Sequence, residues 1–338
     1  MKNKIIKLIL GLLFSIGVFT YIILANGLDK IMKQLLMLDP YWIILAIFAM
    51  VIYWILEAKV LHMIASSLKA KIRFRDSFKV TMTGQFFNSI TPFATGGQPA
   101  QAYELSKNGI NLGVGSSILT GKFIVYQSVL TLYSFIILVF KLGFFKARLS
   151  NFTHLATIGF IVNTAVIVFL ILLSSYMNFA HFIVVFLCKF LEKIRIIKDA
   201  DKLVEKIQAQ LKLFRDSFVN IRSNPLLILK TSLLTMLQLL SFFIIPYFIY
   251  RAFGLNGKFI GNMIAAEAFV VMITSFIPIP GASGGAEGSF YMFFSLFFGK
   301  SIIGIAVLIW RIITFYFNIL FGGLFTLLSR REASNQKI

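Results

Sequence analysis

Three features of the sequence predict an all-α, polytopic integral membrane protein. Of its 338 residues, 58% are hydrophobic and only 14% are charged, against about 25% charged in an average soluble domain. Apolar stretches long enough to cross a bilayer recur from end to end. Between them lie TPFATGGQPAQAYEL and PIPGASGGAEGSFY, where glycines, prolines and a carboxylate interrupt an apolar run. The predicted architecture is six full spans plus two re-entrant, broken helical hairpins, arranged like an inverted repeat within a single transmembrane domain over 1–338.

The elements follow in order. MKNKIIKLILGLLFSIGVFTYIILANG carries basic residues and then an apolar run over 5–24. A cleavable signal has an apolar core of only about 7–15 residues and a small-residue cleavage site, so this run is predicted as a retained first span. Further spans are predicted at 41–64, 112–140, 154–175, 226–250 and 302–328. In the segment 77–107, Asp76-Ser77 can cap a helix that runs to 91, before Pro92. Sixteen residues reach about 24 Å, short of a hydrocarbon core of about 30 Å. Pro99 is then placed as the first residue of another short helix ending at 107, which predicts a hairpin entered from the cytoplasm; one kinked span is the alternative. The helices 259–277 and 286–299 predict a matching hairpin from outside. Interrupted backbone at membrane depth must be buried in protein or line a cavity, since lipid satisfies no N–H or C=O group. Paired broken segments mark substrate sites in transporters.

The net charge of +20 is explained by topology. Placing both termini in the cytoplasm puts KAKIRFR (69–75), Arg330, Arg331 and the basic tract 189–225 inside, as expected in a bacterial cell (inner or plasma) membrane. In that tract Ile196, Leu203, Ile207, Leu211, Phe214 and Phe218 recur at helical spacing between Lys and Arg. Such a basic amphipathic helix gains roughly 1 kcal/mol per basic residue beside anionic inner-leaflet lipids; a solvated loop that only sets topology is the other reading. No basic segment is interleaved with stacking aromatics outside the apolar runs, which argues against nucleic acid as a partner. Cys188 is the single cysteine and the three histidines lack ligand spacing, so neither a disulfide, a metal nor another cofactor is expected.

Glu57, Glu104, Glu267 and Glu287 fall inside or at the edge of apolar segments. A carboxylate near mid-bilayer costs at least about 2.5 kcal/mol and normally faces a cavity or a partner. Glu287 opens the half-helix after the second break and Glu104 lies one turn into the helix after the first, with Gln98, Gln101 and Tyr103 around it. Glu57, two residues from Lys59 near a helix end, reads as a snorkelling interfacial pair. The cations are Lys122 and Arg311, and the latter lies too deep in the last span to snorkel. Arg311 either neutralises a buried carboxylate or grips a phosphate. Helix N-termini and cations suit phosphate, and carboxylates suit an ammonium. A phospholipid headgroup carries both; a small zwitterion or an ion satisfies the same charges.

TPFATGGQPAQAYELSKNGI, PIPGASGGAEGSFYMFF and WRIITFYFNILFGG together resemble the transmembrane region of lysylphosphatidylglycerol synthases, the flippase module of the multiple peptide resistance factor, which also occurs alone. The resemblance implies movement of aminoacylated phosphatidylglycerol, or a related polar-headgroup lipid, between leaflets, and with it antimicrobial peptide resistance. It implies binding roles for Gly96, Gly97 and Pro99 in the first motif, for Pro280, Gly281, Gly284, Gly285 and Glu287 in the second, and for Arg311. Gln98 and Gln101 stand where many members have an acidic residue and an arginine, and the following span keeps only Lys122. Only EASNQKI follows Arg331, where the family's synthases carry a soluble catalytic domain. The expected function is therefore lipid flipping, with a phosphatidylglycerol lysyltransferase, a membrane subunit of one, or a small-solute transporter as alternatives. A separate synthase or a second copy of the chain is the expected protein partner.

Overall fold

A computed structural model describes residues 28–148, 152–193, 199–275 and 277–335, and among these the regular structure is helical without a strand. A short α1 (Leu28–Leu36) leads into α2 (Pro40–Ser67), where Asp39 accepts a hydrogen bond from Tyr41 N at 2.9 Å and Pro40 opens the helix. The same device starts α9 (Pro225–Phe243), where Asn224 Oδ1 accepts from Leu227 N at 2.9 Å. Between them lie α3 (Phe74–Ile90), α4 (Gly97–Lys107), α5 (Leu112–Lys146), α6 (Phe152–Ser175), α7 (Met177–Lys193) and α8 (Ala200–Arg222). After α9 come α10 (Ile245–Ala252), α11 (Ile260–Thr274), α12 (Gly285–Phe294), α13 (Ile303–Arg311), a π-helical turn Ile312–Tyr316 and α14 (Phe317–Asn335).

Among the described residues, five helical stretches are long and apolar enough to cross a membrane: Pro40–Ser67, Leu112–Lys141, Thr157–Ser175, Pro225–Ala252 and Ile303–Ser329. The chain is a multi-pass membrane protein. The expected first span at 5–24 lies outside the described residues.

Several boundaries differ from expectation. The first broken helix starts at Phe74 with Arg73 at its cap, and Asp76 forms an ion pair with Arg73 Nε at 3.0 Å instead of capping. Its partner begins at Gly97, so Pro99 lies in the first turn, where a missing N–H leaves no intrahelical bond unmade. The second pair is shorter than predicted, 260–274 and 285–294. Helix α7 was not foreseen; its apolar residues meet the basic tract that follows. The stripe on α8 is covered in part by protein, with Val204 beside Cys188 on α7, Gly113 N of α5 donating to Gln210 Oε1 at 2.9 Å, and Ile221 in a cluster with Ile64 and Leu119.

The two halves of the chain repeat one plan. A 28-residue apolar stretch opens each half, Pro40–Ser67 and Pro225–Ala252; a broken helical pair follows and a long third helix closes it. α3 packs along α4, and α11 along α12. α2 packs against α9, while α14 covers α3 and α5 packs on α11. Each half's closing helix thus braces the other half's broken arm. At one such contact Gly322 of α14 brings its Cα so near α3 that a Cβ would lie 2.6 Å from Met82 O. The densest core gathers around α12, with the Phe290 and Phe294 rings stacked at 4.2 Å and Trp310 4.7 Å from Phe290.

Candidate functional site

Both breaks use the same local sequence, Pro-x-Ala-Thr/Ser-Gly-Gly: PFATGG at 92–97 and PGASGG at 280–285. Each forms one 3₁₀ turn, Pro92–Ala94 and Pro280–Ala282. The left-handed angles recur position for position, Phe93 (φ 52°) with Gly281 (φ 60°) and Ala94 (φ 53°) with Ala282 (φ 50°). Non-glycine residues held there cost about 1–3 kcal/mol each and persist only where surroundings over-determine them. The surroundings are each other, because the two turns pack tip to tip.

Beside the tips lies a cavity of about 210 Å³. Asn88, Phe93 and Ala94 approach from the first half, and Gly281, Thr314 and Arg311 from the second. Arg311 is positioned by α13, at the residue where the helix gives way to the π turn; such turns leave backbone groups poorly matched and recur at functional sites. Its Nε meets Glu287 Oε1 at 2.6 Å and its Nη2 donates to Gly281 O at 2.9 Å. The guanidinium lies 4.7 Å from the centre of the Phe315 ring. Glu287 Oε2 accepts from Gly284 N at 2.6 Å, closing the start of α12 as a capping glutamate does. These bonds use two of five guanidinium N–H donors. Behind the cavity, fully buried Glu267 accepts from Trp310 Nε1 at 3.0 Å through Oε1, and its Oε2 has no hydrogen-bond partner among the described residues.

A second charged cluster belongs to the first half. Lys122 Nζ donates to Glu57 Oε1 at 2.8 Å and approaches Gln101 Oε1 at 3.4 Å, while Gln85 Nε2 donates to Glu57 Oε2 at 2.5 Å. Glu57 is buried, and Tyr53 and Tyr126 stand near it. The expected Glu57–Lys59 interfacial pair is therefore wrong: residues two apart point to different helix faces, and the partner is Lys122.

Glu104 joins neither cluster. It is buried between Lys107 Nζ at 2.8 Å and Ser329 Oγ at 2.5 Å, tying α4 to α14. Tyr103 is exposed with Lys107 over its ring, and Gln98 and Pro99 are exposed as well. Of the sequence-predicted set, the structure links Gly284, Glu287, Arg311 and Gly281 through hydrogen bonds, with Gly281 and Arg311 lining the cavity, and brings Gln101 and Lys122 around Glu57. Sequence reasoning missed Gln85, Asn88, Tyr53 and Phe315. The duplicated Pro-x-Ala-Thr/Ser-Gly-Gly pattern was the signal that would have aligned the halves and exposed the first cluster.

The family model described as Lysylphosphatidylglycerol synthase TM region matches residues 8–322. The chain is 29% identical over 343 residues to a UPF0104 membrane protein of Archaeoglobus fulgidus, covering 97% of this chain and 99% of that one. It is 22% identical over 331 residues to the UPF0104 membrane protein PH1989 of Pyrococcus horikoshii, covering 95% and 97%. A third relative, MJ1595 of Methanocaldococcus jannaschii, is 29% identical over 51% of each chain.

Proposed function

We propose, for a chain that belongs to the lysylphosphatidylglycerol synthase transmembrane-region family, that it moves a phospholipid between leaflets, with the headgroup phosphate held at Arg311. The observation that carries this reading is a buried arginine on the wall of a cavity where two broken helical pairs meet. Only protein or a hydrated path satisfies such backbone at membrane depth, and intramembrane cations mark substrate paths. Pockets for drug-sized ligands measure about 300–1,000 Å³; at about 210 Å³ this one suits a headgroup fragment while acyl chains remain in lipid.

In this reading the two pairs are re-entrant hairpins that enter from opposite faces, with both termini in the cytoplasm of a prokaryotic cell. The basic residues of α8 contact anionic inner-leaflet lipid, and aminoacylated phosphatidylglycerol is the substrate that the family description favours. Arg311 exchanges Glu287 for phosphate as the headgroup arrives, and Glu287 is then free to meet an ammonium on the same headgroup.

The test is purified protein in proteoliposomes containing fluorescent phosphatidylglycerol, with dithionite reporting the outer leaflet. Translocation above protein-free vesicles, lost in Arg311→Gln, supports the reading. Lipid analysis of a deletion strain supplies the opposing outcome. A missing lipid species with no change in leaflet distribution would point to synthesis and overturn flipping.

A further inference from the structure

Glu57, Glu104 and Glu287 each meet a cation: Lys122 at 2.8 Å, Lys107 at 2.8 Å and Arg311 at 2.6 Å. Among the described residues Glu267 has no such partner. It is 0% exposed, its Oε1 accepts from Trp310 Nε1 at 3.0 Å, and its Oε2 is bonded to nothing described. Its place in the fold is nonetheless specific. Val271 and Thr274 follow it by four and seven positions on α11, the spacing of one helix face, and both line the cavity. Trp310 lines the cavity as well and directly precedes Arg311. Glu267 thus lies one helical turn behind the cavity wall, bonded to one of the residues that form it.

We propose that Glu267 is a proton-binding site: its carboxyl holds a proton while Arg311 is paired with Glu287, and gives that proton up to become the counter-charge of Arg311 when the pair opens. This rests on the translocation reading above for the event that opens the pair. Either form of the carboxyl leaves Oε2 bare, and burying a bare charge costs far more than burying a bare hydroxyl. While Glu287 neutralises Arg311, the uncharged form of Glu267 is therefore favoured. Among the described residues the charged group whose field reaches Glu267 is Arg311. Once the guanidinium loses Glu287 it becomes an unmatched buried charge, and ionisation of Glu267 removes both penalties together. The proton leaves along the Val271–Thr274 face to water in the cavity, and returns from it when the pair recloses.

The helices packed against α11 leave this role to Glu267 and Arg311. Tyr133 of α5 donates to Met236 O at 3.1 Å, and Lys141 of α5 lies over the Phe259 ring. Tyr250 of α10 donates to Asn256 O at 2.7 Å. Lys230 of α9 and Tyr291 of α12 are exposed, Glu287 of α12 is held by Arg311 and Gly284 N, and α6 carries no acid or base over 157–175. A glutamine at 267 would accept from Trp310 equally well; what glutamate adds is a proton that can leave. Arg311 must pass from carboxylate to phosphate and back in each turnover. A carboxyl one turn away, charged only during the exchange, spares it a spell as a lone buried cation.

The experiment is infrared difference spectroscopy of the purified protein in phosphatidylglycerol vesicles, titrated with pH. Wild type should show a protonated-carboxyl band at neutral pH that Glu267→Gln removes; Glu267→Asp, which shifts the band, makes the same assignment should the glutamine variant fail to fold. In Glu287→Gln the pH at which this band fades should fall by about one pH unit or more, because an unmatched Arg311 favours the carboxylate. Adding Arg311→Gln to that variant should bring it back to the wild-type pH or above. Lipid translocation by wild type should slow as pH falls, since Glu267 then keeps its proton, and Glu267→Gln should be slower and flat with pH. A Glu267 band that fades at the same pH in wild type and Glu287→Gln overturns the proposal, as does the absence of any Glu267 band across the titration. Either result in protein that translocates lipid leaves the translocation reading standing. A band that moves as stated in protein that translocates no lipid upholds the proton site and overturns that reading.

Discussion

Replacing Glu287 and Arg311 singly and together separates a substrate site from a neutralising pair. The two groups meet at 2.6 Å with side chains 14% and 8% exposed. Glu287→Gln leaves a buried guanidinium held by the Gly281 carbonyl and the Phe315 face. Breaking a buried pair in this way costs about 3–5 kcal/mol. The slight exposure of both groups places the loss near the lower end, about 3 kcal/mol. The new amide still offers an oxygen to Gly284 N, so the start of α12 is kept and the loss reports charge. Arg311→Gln leaves the carboxylate with one backbone donor and should destabilise to a similar degree. The double variant buries no net charge and should melt closer to wild type than either single variant, the non-additive outcome expected of two groups in contact.

Transport is expected to behave differently. A hydrogen bond to a charged group contributes about 1.5–3 kcal/mol, and about 1.4 kcal/mol is a factor of ten. Loss of the guanidinium should therefore slow lipid translocation at least tenfold in Arg311→Gln and equally in the double variant. Thermal melting in detergent reads the stability arm, and dithionite quenching of fluorescent phosphatidylglycerol in proteoliposomes reads the transport arm. A double variant that melts like wild type and transports like wild type refutes the phosphate role, leaving the two residues as mutual neutralisers.

Three further outcomes follow from the same geometry. Gly281→Ala puts a Cβ at φ 60° and onto the Phe315 ring; melting should fall by the equivalent of about 1–3 kcal/mol, and Phe315→Leu in the same chain should recover part of it. Gly322→Val forces α14 away from the Met82 carbonyl of α3, with a loss of about 1–3 kcal/mol; unchanged melting would show that the close approach is dispensable. In a Cys188→Ser background, single cysteines at 108 and 300 should react with an impermeant thiol reagent from opposite faces of sealed vesicles, and reaction of both from one face removes the inverted arrangement of the hairpins.

Most helices were legible because apolar runs bounded by Asx-Pro starts, Asp39-Pro40 and Asn224-Pro225, have few alternatives in lipid. Helix α7 was not, since its 17 residues are too few to span and its apolar face is completed by α8 rather than by its own sequence. The Glu287–Arg311 neighbourhood was legible because a carboxylate just after a glycine pair and an arginine deep in a span each demand a partner. The Glu57–Lys122 contact was not, because 65 positions separate the two and the nearer Lys59 offered a cheaper reading.

The Pro-x-Ala-Thr/Ser-Gly-Gly pattern repeats plainly in the sequence, yet its meaning lies in backbone angles. A kink serving local packing has no reason to recur with the same left-handed residues at the same two positions in each half. Phe93 and Ala94 match Gly281 and Ala282, the turns that carry them pack against each other, and all four residues line one cavity. The strain is therefore a property of the pair of tips. Phe93 carries a side chain at φ 52° where its counterpart is glycine, and Phe93 and Arg311 both line the cavity. The half that departs from glycine spends its tolerance for strain on shaping the cavity, which is where a substrate site, rather than a hinge, would place it.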